Sequence, residues 1–314
     1  MTSTSVCLLS KNLSFTPYDV KWVPKSSRLC IVGATNQGTG RITTYGLEGK
    51  QLELKQETET SSAVRCGTMT GQSRNFATGD FDGQMQIWDT QRFDIPLFSV
   101  KAHETIINCM SSSRDISGPQ EWVTGSRDGT VKIWDWRQPE KEVITFKSES
   151  SQDIWAVSYG ILKGNAVVAV GYDNGDVKLF NLENCSYLWH INVETGVCSL
   201  DMMDDTLSVS TLEGAYVVDL NTGNKTQVAA SDKKKVTLWS IRHLPGKSDY
   251  FAVAGGDGTV SVWNKKKLDS PSNQLNLSKH PVTSLDWNQD KKGLFACTSF
   301  DQTIKLGMVN NLSV

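Results

Sequence analysis

The sequence predicts an all-β fold, a seven-bladed β-propeller occupying residues 1–314 as one domain, and three observations predict it. First, a polar turn that runs into an alternating strand keeps returning. TGSRDGTVKIWDWR (124–137) is echoed by TGDFDGQMQIWD (78–89), VGYDNGDVKLFN (170–181), AGGDGTVSVWN (254–264) and TSFDQTIKL (298–306). Second, the residues closing these strands, Tyr45, Trp88, Trp134, Phe180, Asp219, Trp263 and Gly307, stand 39 to 46 positions apart, a period typical of propeller arrays. Third, short β-type runs lie between the turns: VRCGTM (64–69), IINCM (106–110), IWAVSY (154–159), VCSLDM (197–202) and VTSLDW (282–287). Four short strands per period, punctuated by Gly, Asp and Ser, describe one blade.

Taken in order, the repeats resemble those of WD-repeat β-propellers. Blade 1, GTGRITTY, lacks the acidic turn. Blade 3 carries His103, Thr124, Asp128 and Trp134, and the resemblance implies a structural tetrad in which His103 bridges to Asp128 while Thr124 links it to the Trp134 indole. A buried indole and a buried carboxylate each need a partner once water is gone. In blade 5, TLEGAYVVDL offers Glu213 in place of the turn Asp, and strict counting puts Asp219 at the Trp position, which points to a one-residue slip. Blade 7 offers His280 and Asp301, with Gly307 in place of Trp. The family closes its ring by borrowing an outer strand from the opposite chain end, and SVCLLS suits that use, with Val6 to Leu9 beside the strand ending near Leu306. Such closure removes two sheet edges open to aggregation.

Composition excludes several function classes. The 32 basic and 34 acidic side chains leave a net charge of −2, and neither nucleic acid nor an anionic membrane is expected as a partner, because each requires a concentrated basic face. The lysine runs at 233–235 and 265–267 read as solvated loops. No apolar run reaches the ~18 residues of a membrane span, and SVCLLS is too short for a signal peptide, so a cytoplasmic protein is expected. The seven cysteines, odd in number and without a Cys-x-x-Cys pair, read as small buried hydrophobes.

Chemistry is hard to place. GATNQGTGR (33–41) has the glycine spacing of a phosphate loop, but Thr39 stands where Lys is needed, and a turn between strands is the better reading. The four histidines (103, 190, 243, 280) lack metal-ligand spacing, and no Gly-x-Ser-x-Gly elbow occurs. No catalytic residue, metal or cofactor is therefore expected. A binding platform is easier to place. In the family, the residue after the first apolar position of each innermost strand and the residue before each turn Asp crowd the upper channel mouth. Carried over, the first set is Lys21, Arg65, Asn108, Trp155, Cys198, Trp239 and Thr283, and the second is Phe81, Arg127, Asp173, Leu212, Gly256 and Phe300. Aromatic and Arg side chains dominate interface energetics, so Trp155, Trp239, Phe300, Phe81, Arg127, Arg65 and Lys21 are the expected partner-binding residues.

Idiosyncratic strings such as YDVKWVP (18–24), STLEG (210–214), RHLP (242–245) and SLDWNQDKKGLFACTSFDQT (284–303) resemble a narrower group, the Monad-type WD-repeat family of axonemal dynein assembly factors. That resemblance implies a non-catalytic adaptor, a monomer within larger complexes. Its implied partners are the RuvB-like ATPase complex, tetratricopeptide co-chaperones, prefoldin-like subunits and dynein chains during cytoplasmic assembly of ciliary or flagellar arms, with a further link to apoptosis. The alternative is a substrate receptor of a cullin-type ubiquitin ligase, because Trp134, Asp135 and Arg137 fit the Trp-Asp-x-Arg docking pattern.

Overall fold

Strand alternation and the recurring Asp-Gly turn dictate the architecture. The structure, a computed structural model, describes residues 4–69, 74–113, 121–147, 152–229 and 235–310. Among these, seven antiparallel sheets of four strands follow one another along the chain. Each innermost strand packs on that of the next blade, and the innermost strand of blade 7, Val282–Trp287, returns to that of blade 1, Thr16–Trp22, which closes a ring. Blade 7 is completed from the other end of the chain. Thr4–Asn12 pairs with Thr303–Asn310, Val6 opposite Met308 and Leu9 opposite Leu306, and becomes the outer strand.

The turns repeat to the atom. Gly83, Gly129, Gly175 and Gly258 donate their N–H to Asp80, Ser126, Tyr172 and Gly255 O at 3.2–3.3 Å, each at a positive φ between 76° and 88° that favours glycine. Blade 7 keeps the turn without the glycine, and Gln302 adopts φ 59° there. GATNQGTGR is likewise a turn between strands: Thr35 N–H donates to Thr39 O, and the chain re-enters a strand at Gly40.

The core lies between neighbouring sheets. Val123, Val131 and Ile133 of blade 3, for example, pack with Ile154, Val168 and Val170 of blade 4. Each such buried aliphatic contributes about 1.5–3 kcal/mol. The strand-closing Trp position faces this core. Trp88, Trp134 and Trp263 fill it in blades 2, 3 and 6. In blade 5 the pairing of Leu207 with Val218 puts Val218 there and leaves Asp219 exposed, which locates the one-residue slip. In blade 7 the Phe295 ring occupies the space above Gly307, where a Cβ would stand 2.2 Å from Cζ. A Trp has no room there.

A second regularity ties the innermost strands together. Ser111, Ser158, Asp201 and Asp286 occupy equivalent places in blades 3, 4, 5 and 7. Their side-chain oxygens accept the backbone N–H of Tyr159, Met202, His243 and Trp22 in the following blade, at 2.8–3.1 Å. In blades 1 and 6 the same place holds Lys21 and Arg242, so the sequence runs Asp201, Arg242, Asp286, Lys21 around the lower channel, with charges alternating in sign.

The cysteines are all free among the described residues, and two depart from expectation. Cys30, Cys66 and Cys297 are buried and Cys109 and Cys198 are partly covered, but Cys7 and Cys185 are exposed, the first on the outer strand of blade 7 and the second in a turn at φ 51°. Both sit at the outer edge of a blade, where no neighbouring sheet covers them. Of the lysine run at 233–235, positions 233 and 234 lie outside the described residues.

Candidate functional site: the upper channel mouth

Every innermost strand carries a β-bulge near its start, and the bulge builds the site. The register shifts around Tyr18, Arg65, Asn108, Trp155, Cys198, Trp239 and Thr283, one residue in each of the seven blades. A bulged residue is left out of the ladder and its side chain is re-aimed. All seven line one cavity of about 70 Å³ at the channel mouth. Beside each bulge, in six blades, the rim residue is fixed by the same hydrogen bond. Phe81, Arg127, Asp173, Leu212, Gly256 and Phe300 donate their N–H to Ala63, Ile106, Asp153, Gly196, Thr237 and Pro281 O at 2.7–3.1 Å. Bulge and rim residue therefore arrive as a rigid pair.

This geometry corrects one expected member. Lys21 does not lie at the upper mouth. It lines a separate cavity of about 260 Å³ at the lower end of the channel, and its Nζ is held by Asp19 at 2.5 Å. The strand of blade 1 begins at Thr16, so the bulge falls on Tyr18, and counting from Val20 overshoots by three residues. Tyr18 was hidden because Pro17 fills the place of the first apolar residue. The other expected residues do come together. The Tyr18 ring stacks against Phe81, 5.8 Å between centroids, and lies 5.7 Å from the Arg65 guanidinium. Phe300 and Leu212 are each 42% exposed on the rim, two blades apart. Trp155 and Trp239 are half-buried, and the Trp155 Nε1 is sealed from solvent with no acceptor among the described residues. Arg127 pairs with Asp153 at 2.9 Å.

The tetrad residues of blade 3 are buried and directional. The Trp134 indole N–H donates to Thr124 Oγ1 (2.9 Å), and Thr124 Oγ1 stands 2.7 Å from His103 Nε2. His103 Nδ1 stands 3.1 Å from Asp128. The carboxylate can only accept, so Nδ1 donates to Asp128, which leaves Nε2 to accept the Thr124 hydroxyl proton while Thr124 accepts from the indole. Burial would raise the Asp128 carboxyl, but the hydrogen bonds from His103 and Thr130 outweigh it and hold it well below the ordinary carboxylate range. In blade 7 the corresponding place belongs to Ser278, not His280. Ser278, like His103, precedes the first inner-strand residue by four positions, and its Oγ donates to Asp301 at 2.7 Å, while His280 is exposed. Burial raises Asp301 too, yet donors from Thr303, Ser278 and Lys305 bring it down to about 2.

A further polar network was not foreseen. In blades 5 and 6, His243 Nδ1 stands 3.0 Å from Asp201 and Nε2 stands 3.0 Å from Ser208, and all three residues are buried. The order Ser–His–Asp is that of a nucleophilic relay, but the Ser208 side chain is fully buried, out of reach of a substrate. The ligase-type residues are placed as follows: Trp134 is buried, and the exposed Arg137 folds back on Asp135 through its Nε at 3.0 Å and its terminal nitrogen at 2.5 Å. Among the described residues no group of three or more His, Cys, Asp or Glu side chains could hold a metal ion, and no helix is long and apolar enough to cross a membrane.

Comparison with known proteins agrees with this architecture. The family model "WD domain, G-beta repeat" matches residues 95–135 and 271–306. Proteins named dynein axonemal assembly factor 10 are similar along nearly the whole chain. That of Homo sapiens is 37% identical, covering 97% of this chain and 96% of its own. That of Chlamydomonas reinhardtii is 34% identical with the same coverage, and that of Dictyostelium discoideum 28% identical over 95% and 93%.

Proposed function

Since the chain belongs to the dynein axonemal assembly factor 10 family of WD-repeat β-propellers, we propose that it is a non-catalytic scaffold in the assembly of axonemal dynein arms, and that it holds partner proteins at the upper channel mouth. The observation that carries this reading is the ring of bulge residues. Folding alone does not require large aromatic and cationic side chains at a solvent-facing opening, and Trp and Arg are the residue types that anchor interfaces. Rigid backbone beneath them lowers the ordering cost of association. The finer assignment is to the cytoplasmic co-chaperone machinery of RuvB-like ATPases, tetratricopeptide partners and prefoldin-like subunits, with dynein chains as clients.

Affinity capture from ciliated cells with quantitative mass spectrometry tests it. The wild-type chain recovers RuvB-like ATPases and dynein chains, and Trp155→Ala combined with Trp239→Ala leaves melting nearly unchanged while weakening capture by at least ~2 kcal/mol. Undiminished capture by the double variant removes the mouth as the site. Recovery of ligase adaptor subunits instead, lost with Arg137→Ala, favours the ubiquitin-ligase reading, which requires Arg137 to leave Asp135.

A further inference from the structure

The rim of the upper mouth carries Asp173, but the cavity beneath it holds a cation without a counter-charge, and this imbalance points to the chemistry of what it holds. Arg65, on the bulge of blade 2, is half-buried. Its positive charge reaches the thiols of Cys66, Cys109 and Cys198, which come from three different blades. Among the described residues no carboxylate stands within ion-pairing distance of it, and its close neighbour is the Tyr18 ring. The thiols supply no counter-charge. Burial pushes Cys109 and Cys198 up to about 12, and Cys66 well above its usual range, in each case against the opposing pull of Arg65. Asp19, the one carboxylate of the lining, is already engaged: it holds Lys21 Nζ at 2.5 Å, the Ser284 hydroxyl at 2.6 Å and the Gly67 N–H at 3.0 Å. Asn108 commits its amide N–H to Ile154 O at 2.9 Å.

A cation that has lost part of its hydration without gaining a counter-ion is costly. An oxygen anion entering this cavity supplies the counter-charge that Arg65 lacks. The rim determines how it is carried. Apolar side chains flank the opening on opposite sides, Phe81 and Phe300 from blades 2 and 7 and Leu212 from blade 5, so an extended segment crossing the face touches both sides while dropping one side chain between them. A chain terminus would touch one side only.

Resting on the reading of the mouth as the binding platform, we propose that the upper mouth receives the side-chain carboxylate of an aspartate or glutamate, flanked by apolar residues, in an extended segment of a partner protein. Arg65 is the principal contact, through charge-assisted hydrogen bonds.

Selection of a random dodecapeptide library on the full chain tests this, with the recovered peptides resynthesised and titrated by tryptophan fluorescence. Peptides whose binding is lost in the Trp239→Ala chain are expected to share an Asp or Glu beside apolar residues. Replacing that residue by Asn or Gln, or introducing Arg65→Met, weakens binding at least about tenfold, whereas Arg65→Lys keeps part of it. The peptide amide form keeps the test valid if Arg65→Met unfolds the chain. Mouth-dependent peptides without a carboxylate, or amide forms that bind equally well, overturn the acid preference and leave the platform standing. Recovery of no peptide sensitive to Trp239→Ala, together with undiminished capture by the Trp155, Trp239 double variant, overturns both.

Discussion

Blade 3 and the junction of blades 5 and 6 solve one problem with the same chemistry in different places. In blade 3 a buried imidazole gives Nδ1 to Asp128 and takes Thr124 on Nε2. At the junction a buried imidazole gives Nδ1 to Asp201 and takes Ser208 on Nε2. The first pin sits near the upper face and ties the chain entering blade 3 to its own turn. The second lies further down, between innermost strands, and ties one blade to the next. Blades 5 and 6 have lost the first kind: Val218 stands at the Trp position of blade 5, and Val253 stands in blade 6 where blade 3 has Thr124. The comparison teaches that one satisfied polar pin can be built at more than one address in the propeller.

The largest effect that would break the comparison falls on blade 3. Trp134→Ala empties a nearly sealed site and strips Thr124 of its donor, and a loss of about 3–5 kcal/mol is expected in urea unfolding. If the junction pin is equivalent, Asp201→Ala costs about 3 kcal/mol by the same measurement, since it leaves two buried N–H donors of His243 without their acceptor. A loss under 1 kcal/mol would make the second network incidental. Acid sharpens the contrast, because turn carboxylates border solvent. Asp301 sits at about 2 in the fold, below the ~3.9 of an unstructured Asp. Its contribution is therefore complete above about pH 4 and disappears as pH falls through about 2. Asp128 has the same sign. Urea midpoints at pH 5 and pH 2.5 should differ less for Asp301→Asn than for the parent chain. The smallest effect concerns the turn itself. Gln302→Gly gives blade 7 the residue used by blade 3 and should raise stability by about 0.5 kcal/mol, the relief of a left-handed non-glycine partly offset by glycine's entropy.

Much of this was legible in the sequence because the repeat demands it. The run VRCGTM became Val64–Met69 and VTSLDW became Val282–Trp287, since alternation and flanking turns define such strands. Six of the seven upper-mouth bulge residues were readable by the same counting. The rest fails for reasons that differ from place to place. Lys21 replaced Tyr18 because a proline stands at the first apolar position, and hydrophobicity alone does not register its backbone role. His280 replaced Ser278 because residue type was weighed above spacing, although the hydrogen bond depends on distance from Val282. The junction pin was invisible for another reason. Asp201, Ser208 and His243 come from two blades, follow no repeat, and meet only when neighbouring sheets pack.

Blade 7 combines three strands from the end of the chain with Thr4–Asn12 from its beginning. On the ribosome the earliest of these strands emerges long before its hydrogen-bonding mate is translated, and waits unpaired while six blades are made. Contacts so distant in sequence form slowly. Until Thr303–Asn310 is made, the growing molecule therefore remains an open arc with two raw strand edges, and a factor whose family name speaks of assembling other proteins is itself exposed to misassembly.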